Sequence, residues 1–106
     1  MINHCVFFKL KYPRASSEER IFLNAAKKLS TISGVKNFQV LIETSSKNEF
    51  EYGLKLEFDT YESYKAYIEH PHRAIFLKMY WDDYVEKYLE IDFELMSFVN
   101  ANSINY

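Results

Sequence analysis

Tyr67-Ile68-Glu69-His70-Pro71-His72-Arg73-Ala74-Ile75-Phe76 is the stretch on which the fold turns. Proline holds the residue before it extended, so a helix arriving at Ile68 breaks at His70. Proline also has no amide hydrogen to lose in the first turn of a helix, so a new helix starts at Pro71 and reaches about residue 84. Upstream, Thr60 is placed to cap the short helix that ends at Ile68. This broken helical stretch lies between two strand patterns, residues 51–59 before it and 88–94 after it.

The remainder assembles outward from that unit. Ile2–Leu10 is dense in β-branched and aromatic residues and reads as a first strand, closed off by Pro13. Ser16 and Glu19 have the spacing of a capping box. Ile21, Phe22, Ala25, Ala26, Leu29 and Ile32 follow at three-four spacing, a helix with one apolar stripe that Gly34 is placed to stop. Residues 35–43 read as a second strand and 44–50 as a polar connection. The order β-α-β-β-α-β predicts an α+β fold of the ferredoxin-like kind with an antiparallel sheet. Residues 1–94 form the expected domain. Residues 95–106 form a C-terminal extension without strong periodicity, expected to be loosely ordered.

Composition narrows the class. A chain of 106 residues that is 48% hydrophobic makes one compact domain. A net charge of −2 with mixed signs argues against a nucleic-acid surface. No apolar run approaches a membrane span, and the start of the chain carries no basic leader. The single cysteine, Cys5, excludes an internal disulfide and fits a reducing, cytoplasmic setting. Nine Tyr and nine Phe are more rings than a monomer of this size buries readily, so a ring-lined pocket or a partner surface is expected.

Strand alternation predicts how the faces are used. His4, Val6, Phe8 and Leu10 share one side of the first strand, Phe38, Val40 and Ile42 one side of the second, and Tyr52, Leu54, Leu56 and Phe58 one side of the third. This apolar face meets the helices. The opposite face mixes Cys5, Phe7 and Leu41 with Lys9, Gln39 and Glu43. It is too apolar for water and too polar for a core, which predicts a second sheet packed on it in a homodimer.

Chemistry is sparse. The three His and one Cys show no metal spacing, and two glycines cannot build a phosphate loop. Asp82, Asp83, Glu86, Glu90, Asp92 and Glu94 read as a solvated rim rather than an acid-base pair. Tyr80, Trp81 and Tyr84 read as core rather than as a seat for a flat cofactor. His4 on the apolar face needs a hydrogen-bond partner, from the backbone or a Tyr hydroxyl. Tyr67 either donates its hydroxyl to a bound carbonyl or fills the core, and His70 caps the helix that follows it.

The Tyr, the His-Pro step and the N-terminal strand carrying His4 together resemble the stress-responsive α/β barrel (Dabb) family, over roughly residues 1–94. The resemblance implies a ferredoxin-like fold pairing sheet to sheet into a dimeric α/β barrel, and no cofactor. Polyketide-cyclase members carry Tyr-x-x-His-Pro-x-His, in which the Tyr donates a hydrogen bond and the last His acts as base for a ring closure. Tyr67, His70 and Pro71 match, and His4 matches a histidine lining the same cavity. Arg73 stands at the base position, where a guanidinium cannot accept a proton, and Tyr52 stands where the cyclases carry another pocket histidine.

Two functions follow as expectations. One is a homodimeric protein with a small apolar pocket that binds a small apolar or aromatic molecule. The other is a cofactor-independent enzyme of the polyketide-cyclase or monooxygenase-like type using His4 and Tyr67. The expected pocket lining is Val6, Phe8, Phe22, Phe38, Val40, Tyr52, Leu54, Ile68, His70 and Phe76.

Overall fold

A computed structural model describes residues 1–96. Four strands form one antiparallel sheet in the order β2-β3-β1-β4, with β1 at Ile2–Leu10, β2 at Lys36–Ile42, β3 at Tyr52–Phe58 and β4 at Val85–Glu94. Helix α1 (Ser17–Lys27) connects β1 to β2. Helices α2 (Tyr61–Ile68) and α3 (Pro71–Phe76), a π-helical turn (Leu77–Trp81) and the single turn α4 (Asp82–Tyr84) connect β3 to β4. This is the ferredoxin-like split βαβ arrangement. The expected extension lies, beyond Met96, outside the described residues. Among the described residues no helix is long and apolar enough to cross a membrane.

The core fills the space between the sheet and the helices. Phe8, Leu10, Phe22, Leu54, Leu56 and Phe58 are fully enclosed there, each contributing about 1.5–3 kcal/mol by leaving water. Phe22 on α1 meets Phe8 from below and Phe76 from α3, with ring centroids 5.3 and 5.5 Å away.

Local signals are followed with two differences. Ser16 Oγ accepts from the Glu19 amide at 3.1 Å, but Glu19 does not complete the capping box. Ala15 adopts a left-handed φ of 65° and the Ser16 amide donates to Pro13. The Glu19 carboxylate therefore accepts from the Ala15 amide and, at 2.6 Å, from the Tyr52 hydroxyl. Gly34 also does not end α1: the helix tightens into a 3₁₀ turn at Lys28–Thr31, and Gly34 makes the following turn at φ 90°. A Cβ there would stand 3.1 Å from the Cβ of Ser63. Thr60 and Ser63 do form the reciprocal box that starts α2.

The far face of the sheet carries Cys5, Phe7, Leu41, Leu89, Ile91 and Phe93. Register places Phe7 opposite Gly53 and Leu89, and Cys5 opposite Ile91. Gly53 makes room for the Phe7 ring, whose carbons would lie 3.0–3.1 Å from a Cβ at that position. Among the described residues no helix covers this face, and Leu41, Leu89 and Phe93 are exposed on it.

Candidate functional site

The site begins with a polarity reversal on β4. Apart from His4, the helix-facing residues of β1 and β3 are apolar or aromatic, whereas pairing sets Tyr88 opposite Phe8, Glu90 opposite Val6 and Asp92 opposite His4. The apolar residues of β4, Leu89, Ile91 and Phe93, point the other way. The edge strand thus brings carboxylates to the side that elsewhere holds the core, and the helices do not close over it. A cavity of about 220 Å³ remains, walled by Val6, Leu29, Leu54 and Phe76 and capped by Leu77 and Trp81 of the π turn. His4, Tyr67, Arg73, Asp82, Tyr88 and Glu90 complete its lining.

His4 is 4% exposed. Its Nδ1 lies 2.6 Å from an Asp92 oxygen and 3.9 Å from Glu90. An ionised carboxylate only accepts hydrogen bonds, so Nδ1 donates to Asp92 and Nε2 is left as the acceptor nitrogen. The other Asp92 oxygen accepts from the Tyr64 hydroxyl at 2.7 Å. Burial first, and then this bond to Asp92, push the Tyr64 phenol's pKa above its ordinary value. Among the described residues no fully buried side-chain nitrogen or oxygen lacks a partner and Nε2 makes no hydrogen bond, so Nε2 is not sealed in the core, and His4 is one of the residues that line the cavity. An imidazole in the wall of a pocket, with its Nδ1 held by a carboxylate, is built to accept a proton.

Tyr67, on the last turn of α2 and 3% exposed, packs edge-on to His4 with ring centroids 6.0 Å apart. Burial raises its phenol, and the neighbouring Arg73 guanidinium offsets part of that rise, leaving it pushed up to about 12. The hydroxyl therefore stays protonated at neutral pH and serves as a donor. Arg73 is half-buried. It donates from one guanidinium nitrogen to the Ile68 carbonyl at 3.1 Å and holds its Cζ 5.6 Å from the Tyr67 ring centroid.

Of the residues singled out from sequence, His4, Val6, Leu54, Tyr67 and Phe76 line this cavity. Phe8 and Phe22 are wholly enclosed in the core, where ring packing leaves no open surface. Tyr52 stacks on Phe8 at 5.5 Å and turns its hydroxyl to Glu19 on α1. Phe38 and Val40 pack against the core from β2, two strands away from β4. Ile68 contributes its carbonyl to Arg73 rather than its side chain to the cavity. His70 caps α3, its Nδ1 accepting from the His72 amide at 3.1 Å. His72 is exposed, on the outer side of α3 with Ile75 and Met79.

Two readings of the sequence change. Glu90 and Asp92 are not simply a solvated rim: strand pairing delivers both to His4. Trp81 is not simply core, since it closes the cavity. Tyr64 was missed altogether. For the carboxylates the available signal was the alternation of Tyr88, Glu90 and Asp92 with Leu89, Ile91 and Phe93, which puts them together on one face. Among the described residues, His4, Glu90 and Asp92 are also the one group whose ligand atoms, all within 4.8 Å of one another, could hold a metal ion. The 2.6 Å separation of Nδ1 from Asp92 is that of a charge-assisted hydrogen bond, and it reads as a His-Asp pair.

Comparison with known proteins adds to this geometry. The family described as the Stress Responsive A/B Barrel Domain (Dabb) matches residues 2–95. A Dabb family protein with a ferredoxin-like fold from Mesorhizobium loti is 40% identical, with a TM-score of 0.87 over 91% of this chain and 97% of that one. A dimeric protein of unknown function from Bacteroides fragilis is 23% identical, with a TM-score of 0.68 over 89% and 95%. A hydroxynitrile lyase from Passiflora edulis is 13% identical, with a TM-score of 0.79 over 93% and 96%, a likeness of fold alone. No curated protein matches the chain.

Proposed function

The chain belongs to the Stress Responsive A/B Barrel Domain (Dabb) family, and from that membership we propose that it acts as a homodimer whose cavity takes one small molecule and moves a proton on it without a cofactor. The observation that carries this reading is the His4-Asp92 pair, 2.6 Å apart, with His4 in the lining of the cavity. Size sets the ligand. An apolar cavity of about 150 Å³ holds a benzene molecule, so about 220 Å³ suits a single ring or a short chain and not a fused-ring system.

The reaction class that fits is proton abstraction from carbon beside a carbonyl. The C–H bond breaks, its proton passes to His4 Nε2, and its electron pair moves onto the carbonyl oxygen as an enolate. Asp92 steadies the imidazolium through Nδ1, and Tyr67 donates a hydrogen bond to the oxygen. The enolate then takes the proton back, or its carbon adds to a second carbonyl carbon, whose C=O π pair moves onto oxygen and takes the proton from the His4 imidazolium. His72 has no part, since it faces away from the cavity. The dimer is supported by the uncovered apolar sheet face and by the description of the Bacteroides fragilis protein as dimeric.

The test is solvent deuterium exchange into the carbon beside the carbonyl of a small aryl ketone, acetophenone, followed by proton NMR. Exchange above buffer is expected, falling about 100-fold or more in His4→Ala and Tyr67→Phe and unchanged in His72→Ala. Loss confined to the His72 variant overturns the assignment. Saturable binding of the ketone without exchange leaves a binding protein and removes the catalytic step.

A further inference from the structure

Arg73 sits in the wall of the cavity with most of its hydrogen-bonding capacity unused. A guanidinium has five N–H donors in a rigid fork, of which one goes to the Ile68 carbonyl and another is turned to the Tyr67 hydroxyl. Among the described residues no carboxylate lies within ion-pair distance of it. The side chain is half-buried and laid against the Tyr67 ring, the ring that packs on His4. A fixed, partly desolvated cation without a counter-ion, beside an apolar space, is the arrangement that recognises a planar anion.

The cavity also contains Glu90 and Asp82, and their charge opposes this. Both are exposed, at positions where water screens them. At the Tyr67 hydroxyl, Arg73 lowers the pKa by more than Glu90 raises it.

We propose that Arg73 makes the inner end of the cavity a carboxylate site, so that the preferred ligand is a small monocyclic or short-chain molecule bearing one carboxylate. The guanidinium fork takes the two carboxylate oxygens, and the apolar walls at Phe76, Leu77 and Trp81 take the ring or chain. This inference rests on the reading of the cavity as a small-molecule site, and the probes are chosen to separate the two.

Benzoate, benzamide and benzylamine have nearly the same shape and differ in charge, and their binding is measured by ligand-observed NMR titration at low ionic strength. Benzoate is expected to bind at least tenfold more tightly than benzamide. In Arg73→Gln the preference for benzoate over benzamide is expected to disappear, and Arg73→Lys, a point charge without the fork, is expected to fall between. Equal affinity of benzoate and benzamide for the native protein overturns the carboxylate site and leaves the cavity reading standing. Tighter binding of benzylamine overturns it too, placing control with Glu90 and Asp82. If none of the three binds, the cavity reading itself fails. Circular dichroism of Arg73→Gln checks that it folds; should it not, the selectivity of the native protein and of Arg73→Lys still decides.

Discussion

His4 and Asp92 stand 88 positions apart in the chain and 2.6 Å apart in space. Each was visible as a residue type, and the pair was not, because only the β1–β4 register joins them. Tyr67 was legible as a candidate through the Tyr-x-x-His-Pro pattern that carries the family resemblance. Its environment makes a pH prediction. An unfolded tyrosine ionises near pH 10, whereas burial pushes the folded Tyr67 up to about 12. The folded state therefore holds a proton that the unfolded state releases between those values. Tyr67 thus contributes stability that is fully present below pH 10 and is lost as pH rises from about 10 to about 12, amounting to about 2–3 kcal/mol. Urea midpoints at pH 9, 10 and 11 are expected to fall more steeply for the native protein than for Tyr67→Phe. Tyr52 and Tyr64 shift in the same direction and are present in both proteins, so the difference isolates Tyr67. Equal slopes would reject the assignment.

Elements were legible where their ends carry local chemistry. Thr60 and Ser63 exchange bonds at the start of α2, and His70 caps α3 beside Pro71. The interior of the second helical stretch was not, because nothing in residues 71–84 marks the change to π-helical winding at Leu77–Trp81. Such a turn adds one residue to the helical circuit, and here its residues Leu77 and Trp81 line the cavity. Capping offers a test at this scale. Thr60→Ala removes the acceptor for the Ser63 amide and is expected to cost about 1 kcal/mol, lowering the thermal midpoint by about 4 °C or more for a domain of this size. The cavity residue Tyr67 lies seven positions further on, so ligand affinity is expected to hold while stability falls. A midpoint equal to that of the native protein would show that the box does not stabilise the helix.

At the scale of the molecule, one sheet has two apolar faces and helices for only one. Phe7, Leu41, Leu89, Ile91 and Phe93 make the second, and in the proposed dimer a twofold partner laying the same face upon it would cover them. Phe7→Glu would bury an unpaired charge in that contact at about 3 kcal/mol or more, weakening the dimer by over 100-fold. Light scattering after size exclusion is expected to give a dimer for the native protein and a shift toward monomer for the variant. A native monomer at micromolar concentration would remove the dimer from the proposal.

By itself the sequence determined the element order, the breaks at Pro13 and Pro71, the helix caps and the apolar faces of β1 and β3. These follow from backbone restrictions and periodicities that act within a few residues. The tertiary structure alone decided which polar side chains meet. Strand register is a long-range choice, and it turned Asp92 and Glu90 from a scattered acidic rim into the partners of His4. It also decided that Arg73 faces a cavity while His72 faces water, because only the packing of α3 onto the sheet says which side of that helix is inside.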